Sequence, residues 1–407
     1  MKNKRWQKTA LVSLLSVTML AVSACGGSNE TGGKDNKNPI KIGVVTSRSG
    51  AVEAYGTQEI NGLKLGIKYA TGGTEEINGR KIQVLVEDDA GKADEGIKKA
   101  RKLLEEEKVD ILQGSASSAV AQAIAPLAEE YKKVFMVDPA AADEITGKNF
   151  NKYVFRSARS LSQDAATGAK YAVENLGKTF FHIAPDYVFG KSSAAAWKES
   201  IEKSGGKVIQ EEFAPVNTQD FTPYLQKAIQ SKAEVLIITW AGAGGATLLK
   251  QVNELKIAEK MKITSVIPDI AGIKSFGDAG VGMQGPAPYY HALPQNDVNK
   301  WLVENHQKEF NSPPDLFTSS GFVAGVALVQ AIKKAGSTDT DKLIAALEGL
   351  TVKGPKGDYT FRKEDHQALQ PMYIVKLEKK QGVDHLVPVL VKELSGQDTA
   401  PPVTVKK

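Results

Sequence analysis

The stretch Gly114–Ala123, Gly-Ser-Ala-Ser-Ser-Ala-Val-Ala-Gln-Ala, places hydroxyl groups at the mouth of a helix. It follows the short apolar run Val109-Asp110-Ile111-Leu112-Gln113 and opens the helical run Ala119–Tyr131. It therefore reads as strand, small-residue turn and helix N-terminus. Ser117 or Ser118 stands at the N-cap, where free backbone N–H groups and the positive end of the helix dipole favour an anion. Small residues let a ligand come close to the backbone, so a carboxylate is the expected guest. The competing reading is a Ser that only caps its own helix.

Other chemistry finds little support. The five histidines, His182, His291, His306, His366 and His385, do not pair at metal-ligand spacing, and the single cysteine is Cys25. Gly190-Lys191-Ser192 resembles the end of a phosphate-binding loop, but Pro185 stands where that motif needs glycine. Gly242-Ala243-Gly244-Gly245-Ala246-Thr247 follows a strand as a dinucleotide fingerprint would, but ends on Thr247 rather than Gly or Ala. No Gly-x-Ser-x-Gly elbow occurs, and no carboxylates are marked as a catalytic pair. The expectation is a protein with no catalytic residue, no metal and no cofactor.

The elements that position these residues alternate. Ile40–Thr46, Lys81–Glu87, Val109–Gln113 and Val134–Val137 read as strands, separated by helices over Ala54–Ala70, Ala90–Glu107 and Ala119–Tyr131. That order indicates a parallel sheet covered on both faces. The pattern restarts with strands at Tyr153–Arg156, Thr179–Ala184, Lys207–Phe213, Val235–Thr239 and Lys262–Ile267, with helices between them. Helices around Val298–Phe310, Ser319–Ala335 and Asp341–Leu347 follow, then a hairpin-like end at Gly357–Phe361 and Pro371–Leu377 and a last strand at Val387–Lys392. The body is long enough for two domains rather than one. In open α/β sheets ligands bind beyond the carboxyl ends of strands. Here those loops, Thr46–Tyr55, Gly114–Ser118, Asp138–Asp143, Pro185–Phe189, Trp240–Gly245 and Pro268–Ile270, are rich in small residues with isolated aromatics and charges. This is the composition of a small-molecule pocket.

The chain opens with an export signal over 1–24: Lys2, Lys4, Arg5 and Lys8, then a short apolar stretch. Val22-Ser23-Ala24-Cys25 has the form of a lipobox, so Cys25 is expected to carry a lipid anchor. Residues 25–39 form a Gly-, Asn- and Lys-rich tether that spans roughly 20 Å. The formal charge of +5 falls by four when the leader's basic residues are removed, which leaves no basic field for nucleic acid. No later hydrophobic run is long enough to span a bilayer.

Taken together, lipobox, tether, two α/β lobes and ligand-type loops resemble the type I extracytoplasmic solute-binding proteins of ABC importers, the leucine/isoleucine/valine-binding group most closely. The resemblance runs from Ile40 to Leu377. It is carried by Ile42-Gly43-Val44-Val45, Ser49-Gly50, Tyr55-Gly56, Gly62–Ile67, Val84–Ala90, Gly114–Ala123, Asp138–Ala142, Asp186–Gly190 and Asp220-Phe221. It implies a two-lobed periplasmic-binding-protein type I fold, each lobe a mainly parallel sheet flanked by helices, with three chain crossings as a hinge. Lobe 1 is then expected over 40–158 and 290–365, lobe 2 over 159–288 and 366–392, and a disordered tail over 393–407. The crossings are expected near Arg156–Ser162, Gly285–Ala292 and Phe361–Gln370.

The resemblance also implies a ligand-binding set. Ser118, after Ser117, matches the serine that holds a ligand carboxylate, and Ala140 matches a residue whose carbonyl takes the ligand ammonium. Ala141 and Ala142 continue that loop. Asp269 matches an acid that pairs with the ammonium, although it also reads as a turn or helix cap. Tyr55 and Phe189 match aromatic walls, and Trp240 and Gly242 lie in a further wall. Two departures stand out: Ala142 lacks the hydroxyl of the usual threonine, and Phe189 lacks that of a tyrosine. Arg48 and Arg159 lie near the expected mouth, either to bind a second acid group or to form surface salt bridges. The implied function is capture of an amino acid, of branched-chain type, for delivery to a membrane permease by a monomer anchored at Cys25. A non-amino carboxylate such as an aromatic acid is the rival cargo. A sensor for a signalling partner is the rival role, because fold alone does not separate the two.

Overall fold

The computed structural model describes residues 38–405. The leader, Cys25 and most of the tether lie outside the described residues. In lobe 1, β1 (Ile40–Thr46), β2 (Glu76–Ile77), β3 (Arg80–Asp88), β4 (Ile111–Gly114), β5 (Phe135–Val137) and β6 (Val154–Arg156) form a sheet of order β2-β3-β1-β4-β5-β6. All its pairings are parallel except that of β2 with β3. Ile42, Val44 and Val45 of β1 are buried between neighbours, as an apolar central strand of a parallel sheet should be. The crossover helices are α1 (Glu53–Ala70), α2 (Ala93–Glu105) and α3 (Ser118–Glu130).

Lobe 2 follows with α4 (Leu161–Asn175), β7 (Thr179–Pro185), α5 (Val188–Lys203), β8 (Lys207–Ala214), α6 (Thr222–Gln230), β9 (Val235–Ile238), α7 (Gly245–Glu254), β10 (Lys262–Ser265), α8 (Ile270–Phe276) and β11 (Gln284–Ala287). Its parallel sheet runs β10-β9-β7-β8. A capping box starts α4: the Ser160 hydroxyl accepts from the Gln163 N–H while the Gln163 side chain accepts from the Ser160 N–H.

The chain then returns to lobe 1 through α9 (Asp297–Phe310), α10 (Thr318–Ala335), α11 (Thr340–Leu347) and a small antiparallel sheet of β12 (Thr351–Gly354), β13 (Gly357–Phe361) and β14 (Ala368–Leu369). Finally β15 (Met372–Glu378) and β16 (Val387–Leu394) add to β11 in lobe 2. Because β14 still pairs with β13, the third crossing falls at Gln370-Pro371, after the expected boundary at 365/366. Buried Arg156 ties the crossings together. Its Nη1 donates to the Ala142 carbonyl at 2.6 Å and its Nε to Gln367 Oε1.

Helices α1 and α10 meet backbone to backbone. A Cβ on Gly62 would lie 2.2 Å from the Thr318 carbonyl oxygen, and one on Gly66 2.1 Å from that of Phe322. Gly321 and Gly325 answer from α10, against the carbonyls of Glu59 and Leu63. No side chain larger than hydrogen fits at these four positions.

One expectation is corrected. The tail at 393–407 is not a disordered end over its described part. β16 runs to Leu394, Thr399 is fully buried, and Arg362 Nη1 donates to the Pro401 carbonyl at 2.9 Å. A polar, proline-containing composition suggested disorder, but docking on lobe 1 satisfies this backbone locally.

Candidate functional site

The opening stretch becomes a fastened turn. Gly114 has φ +130°, and a Cβ there would lie 2.0 Å from the Val45 carbonyl oxygen, so β4 can end beside β1 only as glycine. Asp89, fully buried, accepts from the Ser47 and Ser115 hydroxyls at 2.6 Å each and so ties the ends of β1 and β4 together. Ser117 is the N-cap of α3 but its side chain makes no capping bond. The first turn of the helix therefore keeps its N–H groups for something else. Ser118 Oγ accepts from the N–H groups of Ala141 and Ala142 at 3.3 and 3.2 Å, which occupies its lone pairs and leaves its proton to donate. The Ala140 N–H donates to the Ser115 carbonyl at 3.1 Å. Ser117, Ser118, Ala140, Ala141 and Ala142 thus form one connected, buried cluster on lobe 1.

Phe189 stands in the first turn of α5. That helix reaches the same loop, since the Asp143 N–H donates to Ser192 Oγ at 3.1 Å. Beside it, Tyr187 stacks on Phe189 with ring centroids 6.0 Å apart and donates to the Ala241 carbonyl at 3.2 Å. Burial holds the Tyr187 hydroxyl far above the usual phenol range, and the nearby Tyr55 adds to the effect.

Tyr55, Trp240, Gly242 and Asp269 line one cavity of about 220 Å³ between the lobes, together with Ala51 and Ser265. Tyr55 packs edge-on against Phe317 at 4.6 Å and faces the Gly242 N–H from the opposite lobe. Gly242 has φ +111°, and a Cβ there would meet Val216 Cγ2 at 2.6 Å. Trp240 packs edge-on against Phe221 at 4.9 Å, and its indole N–H is buried without a partner.

Asp269 does cap a helix: its Oδ1 accepts from the Gly272 N–H of α8 at 2.9 Å. It also faces the cleft, where burial raises its carboxyl while the Gly272 N–H and the Gln58 side chain pull it back. Asp315, from the loop before α10, reaches across the lobes and accepts from the Ile270 N–H at 3.1 Å. Burial, and then the charge of Asp269, push Asp315 up to about 6. Two neighbouring carboxylates of this kind suit a cationic guest.

The two arginines part company. Arg48 is exposed. Arg159 is only 6 % exposed, with Nε 3.3 Å from Asp164 Oδ2, so the surface salt bridge envisaged for it is excluded. Sequence reasoning missed Tyr187, although it sits two residues from Phe189. It also missed Asp315, for which Pro313-Pro314 before it and the helix after it offer only a loop signal. Among the described residues no group of His, Cys, Asp or Glu is arranged to hold a metal ion. No helix among them is long and apolar enough to cross a membrane.

The family model described as periplasmic binding protein matches residues 39–382. The leucine-, isoleucine-, valine-, threonine- and alanine-binding protein of Pseudomonas aeruginosa is 25% identical over 79% of this chain and 85% of its own length. Among solved structures, an ABC-type branched-chain amino acid transporter protein from Rhodopseudomonas palustris is 40% identical, covering 90% of this chain and 100% of that one, with a TM-score of 0.77. A solute-binding protein of an ABC transporter from the same species, in complex with 3,4-dihydroxybenzoic acid, is 28% identical over 88% and 98% of the two chains, with a TM-score of 0.81.

Proposed function

The chain belongs to the periplasmic binding protein family, the solute-binding proteins of ABC transporters rather than enzymes, and from that premise we infer that it captures an amino acid with an apolar, branched-chain type side chain. What supports this reading is two sets of polar groups, one on lobe 1 and one where the lobes meet. On lobe 1, the uncapped first turn of α3 and the free proton of Ser118 suit a carboxylate. Where the lobes meet, Asp269, which lines the cavity, and the nearby Asp315 suit an ammonium. Tyr55 and Trp240 line the same cavity as Asp269. Closure of the lobes over this cargo presents it to a membrane permease, with a monomer held to the membrane by a lipid on Cys25.

A second reading, an aromatic acid, is favoured by the solved relative that holds 3,4-dihydroxybenzoic acid and by the absence of a hydroxyl at Ala142. A thermal-shift comparison separates the two. Leucine, isoleucine or valine at about 100 times its Kd adds about 2.7 kcal/mol of stability, whereas 4-methylpentanoate, which lacks the amine, adds far less. Stabilisation by benzoates but by none of these amino acids defeats the amino-acid reading.

A further inference from the structure

Arg159 lies in the first crossing, between β6 and α4, and it is buried. Its guanidinium lies over the Phe317 ring, 5.5 Å from the centroid, and Phe317 in turn packs on Tyr55 in the cleft. Nη1 donates to the Pro139 carbonyl at 3.3 Å. Nε is 3.3 Å from Asp164 Oδ2, yet it has no partner of hydrogen-bond geometry, and neither do the Asp164 oxygens. A guanidinium carries five N–H donors in a planar fork, and a carboxylate that neutralised this one structurally would take two of them side by side. Asp164 does not. Nη1 is spent on Pro139, while Nε is buried without a hydrogen-bond partner although the Asp164 carboxylate lies 3.3 Å away, and a buried donor that lacks an acceptor is costly.

Its neighbours belong to the Ser118 loop. Pro139 begins the loop whose next N–H groups, at Ala141 and Ala142, are held by Ser118. Arg159 and Ser118 therefore grip the same loop, and the charge of Arg159 is felt at Tyr55, which lines the cavity. Ala140, Ala141 and Ala142 offer no polar side chain of their own.

We propose that Arg159 is a ligand-binding residue, the second anchor of the ligand carboxylate beside Ser118 and the α3 N-terminus. This rests on the reading of the cleft as a carboxylate site and sharpens it: recognition depends on a full negative charge, so a carboxamide is refused even when the rest of the ligand is unchanged.

The test uses the detergent-solubilised full chain and calorimetric titration with leucine and leucinamide. Wild type is expected to favour leucine by about 100-fold or more. Arg159→Gln is expected to weaken leucine by about 30-fold and to shrink that preference to about tenfold or less, with partial rescue in Arg159→Lys. Asp164→Asn is expected to keep the preference. The proposal is overturned if wild type binds leucinamide as well as leucine, a result that needs no variant to fold. It is also overturned if Arg159→Gln weakens both ligands equally, or if Asp164→Asn reproduces its effect. If leucine fails to bind and benzoate binds in an Arg159-dependent way that benzamide does not, the amino-acid reading falls while the anchor stands. No binding of any of these acids defeats both.

Discussion

Replacing Ser118 by alanine separates the two duties of one oxygen. In the absence of ligand, Ser118 Oγ accepts from the N–H groups of Ala141 and Ala142, residues 2 % and 0 % exposed. The alanine variant leaves both donors buried without a partner, at about 1–3 kcal/mol each before the loop relaxes. A net loss of about 3 kcal/mol is expected. At about 2.1 cal/mol/K per residue, a chain of this length converts that into a Tm lower by about 4 °C. The second duty appears only with ligand. Loss of a hydroxyl that donates to a carboxylate costs about 1.5–3 kcal/mol, or about 10- to 150-fold in Kd. Thermal denaturation of the ligand-free protein reads the first effect and calorimetric titration with leucine reads the second. Ser118→Thr, which keeps the oxygen, should recover most of the ligand-free stability. An unchanged Tm in Ser118→Ala would refute the fastening of the 139–142 loop. A Kd within about threefold of wild type would refute the carboxylate role.

Further outcomes follow from other contacts. Burial and the charge of Asp269 push Asp315 up to about 6 in the folded protein, above the ordinary 3.8, so its contribution to stability is full below about 3.8 and is lost as pH rises through about 6. Relative to Asp315→Asn, the ligand-free wild type should therefore gain about 2 to 3 kcal/mol as pH falls from 7 to 4. A difference in unfolding free energy that does not vary with pH would sink this account. Gly242→Ala introduces a Cβ 2.6 Å from Val216 Cγ2 at φ +111°, and should weaken leucine at least about tenfold by titration. Gly66→Ala forces α1 off the Phe322 carbonyl and should cost about 3 kcal/mol or more in denaturant unfolding.

The two α/β lobes were legible because strand and helix periods alternate cleanly from Ile40 to Ser265. What escaped is short or irregular. β2 has two residues, α8 seven, and β11 reads Gln-Gly-Pro-Ala, with neither alternation nor an apolar run. Their existence depends on neighbours: β11 forms because β15 returns to pair with it from far along the chain. Of the candidate residues read from strand-end loops, Tyr55 and Trp240 line the interlobe cavity and Ser118 fastens the 139–142 loop. Asp315 belongs to no such loop and meets Ile270 only through the hinge, so nothing local marks it. Asp269 caps α8, as one of its two sequence readings has it, and the same carboxylate lines the interlobe cavity.

The glycine seam between α1 and α10 bears on how a ligand arrives. Tyr55 and Gln58 sit in the first turns of α1, and Phe317 directly precedes α10. With two backbones in contact and no side chain between them, these residues move as one plate. Half of the pocket is thus ordered before any encounter, and the entropy still to be lost belongs to the lobe 2 loops around Trp240 and Asp269. A ligand should land first on lobe 1 and be sealed afterwards. Stopped-flow traces with rising leucine concentration would then level off at the rate of lobe closure rather than climb without limit.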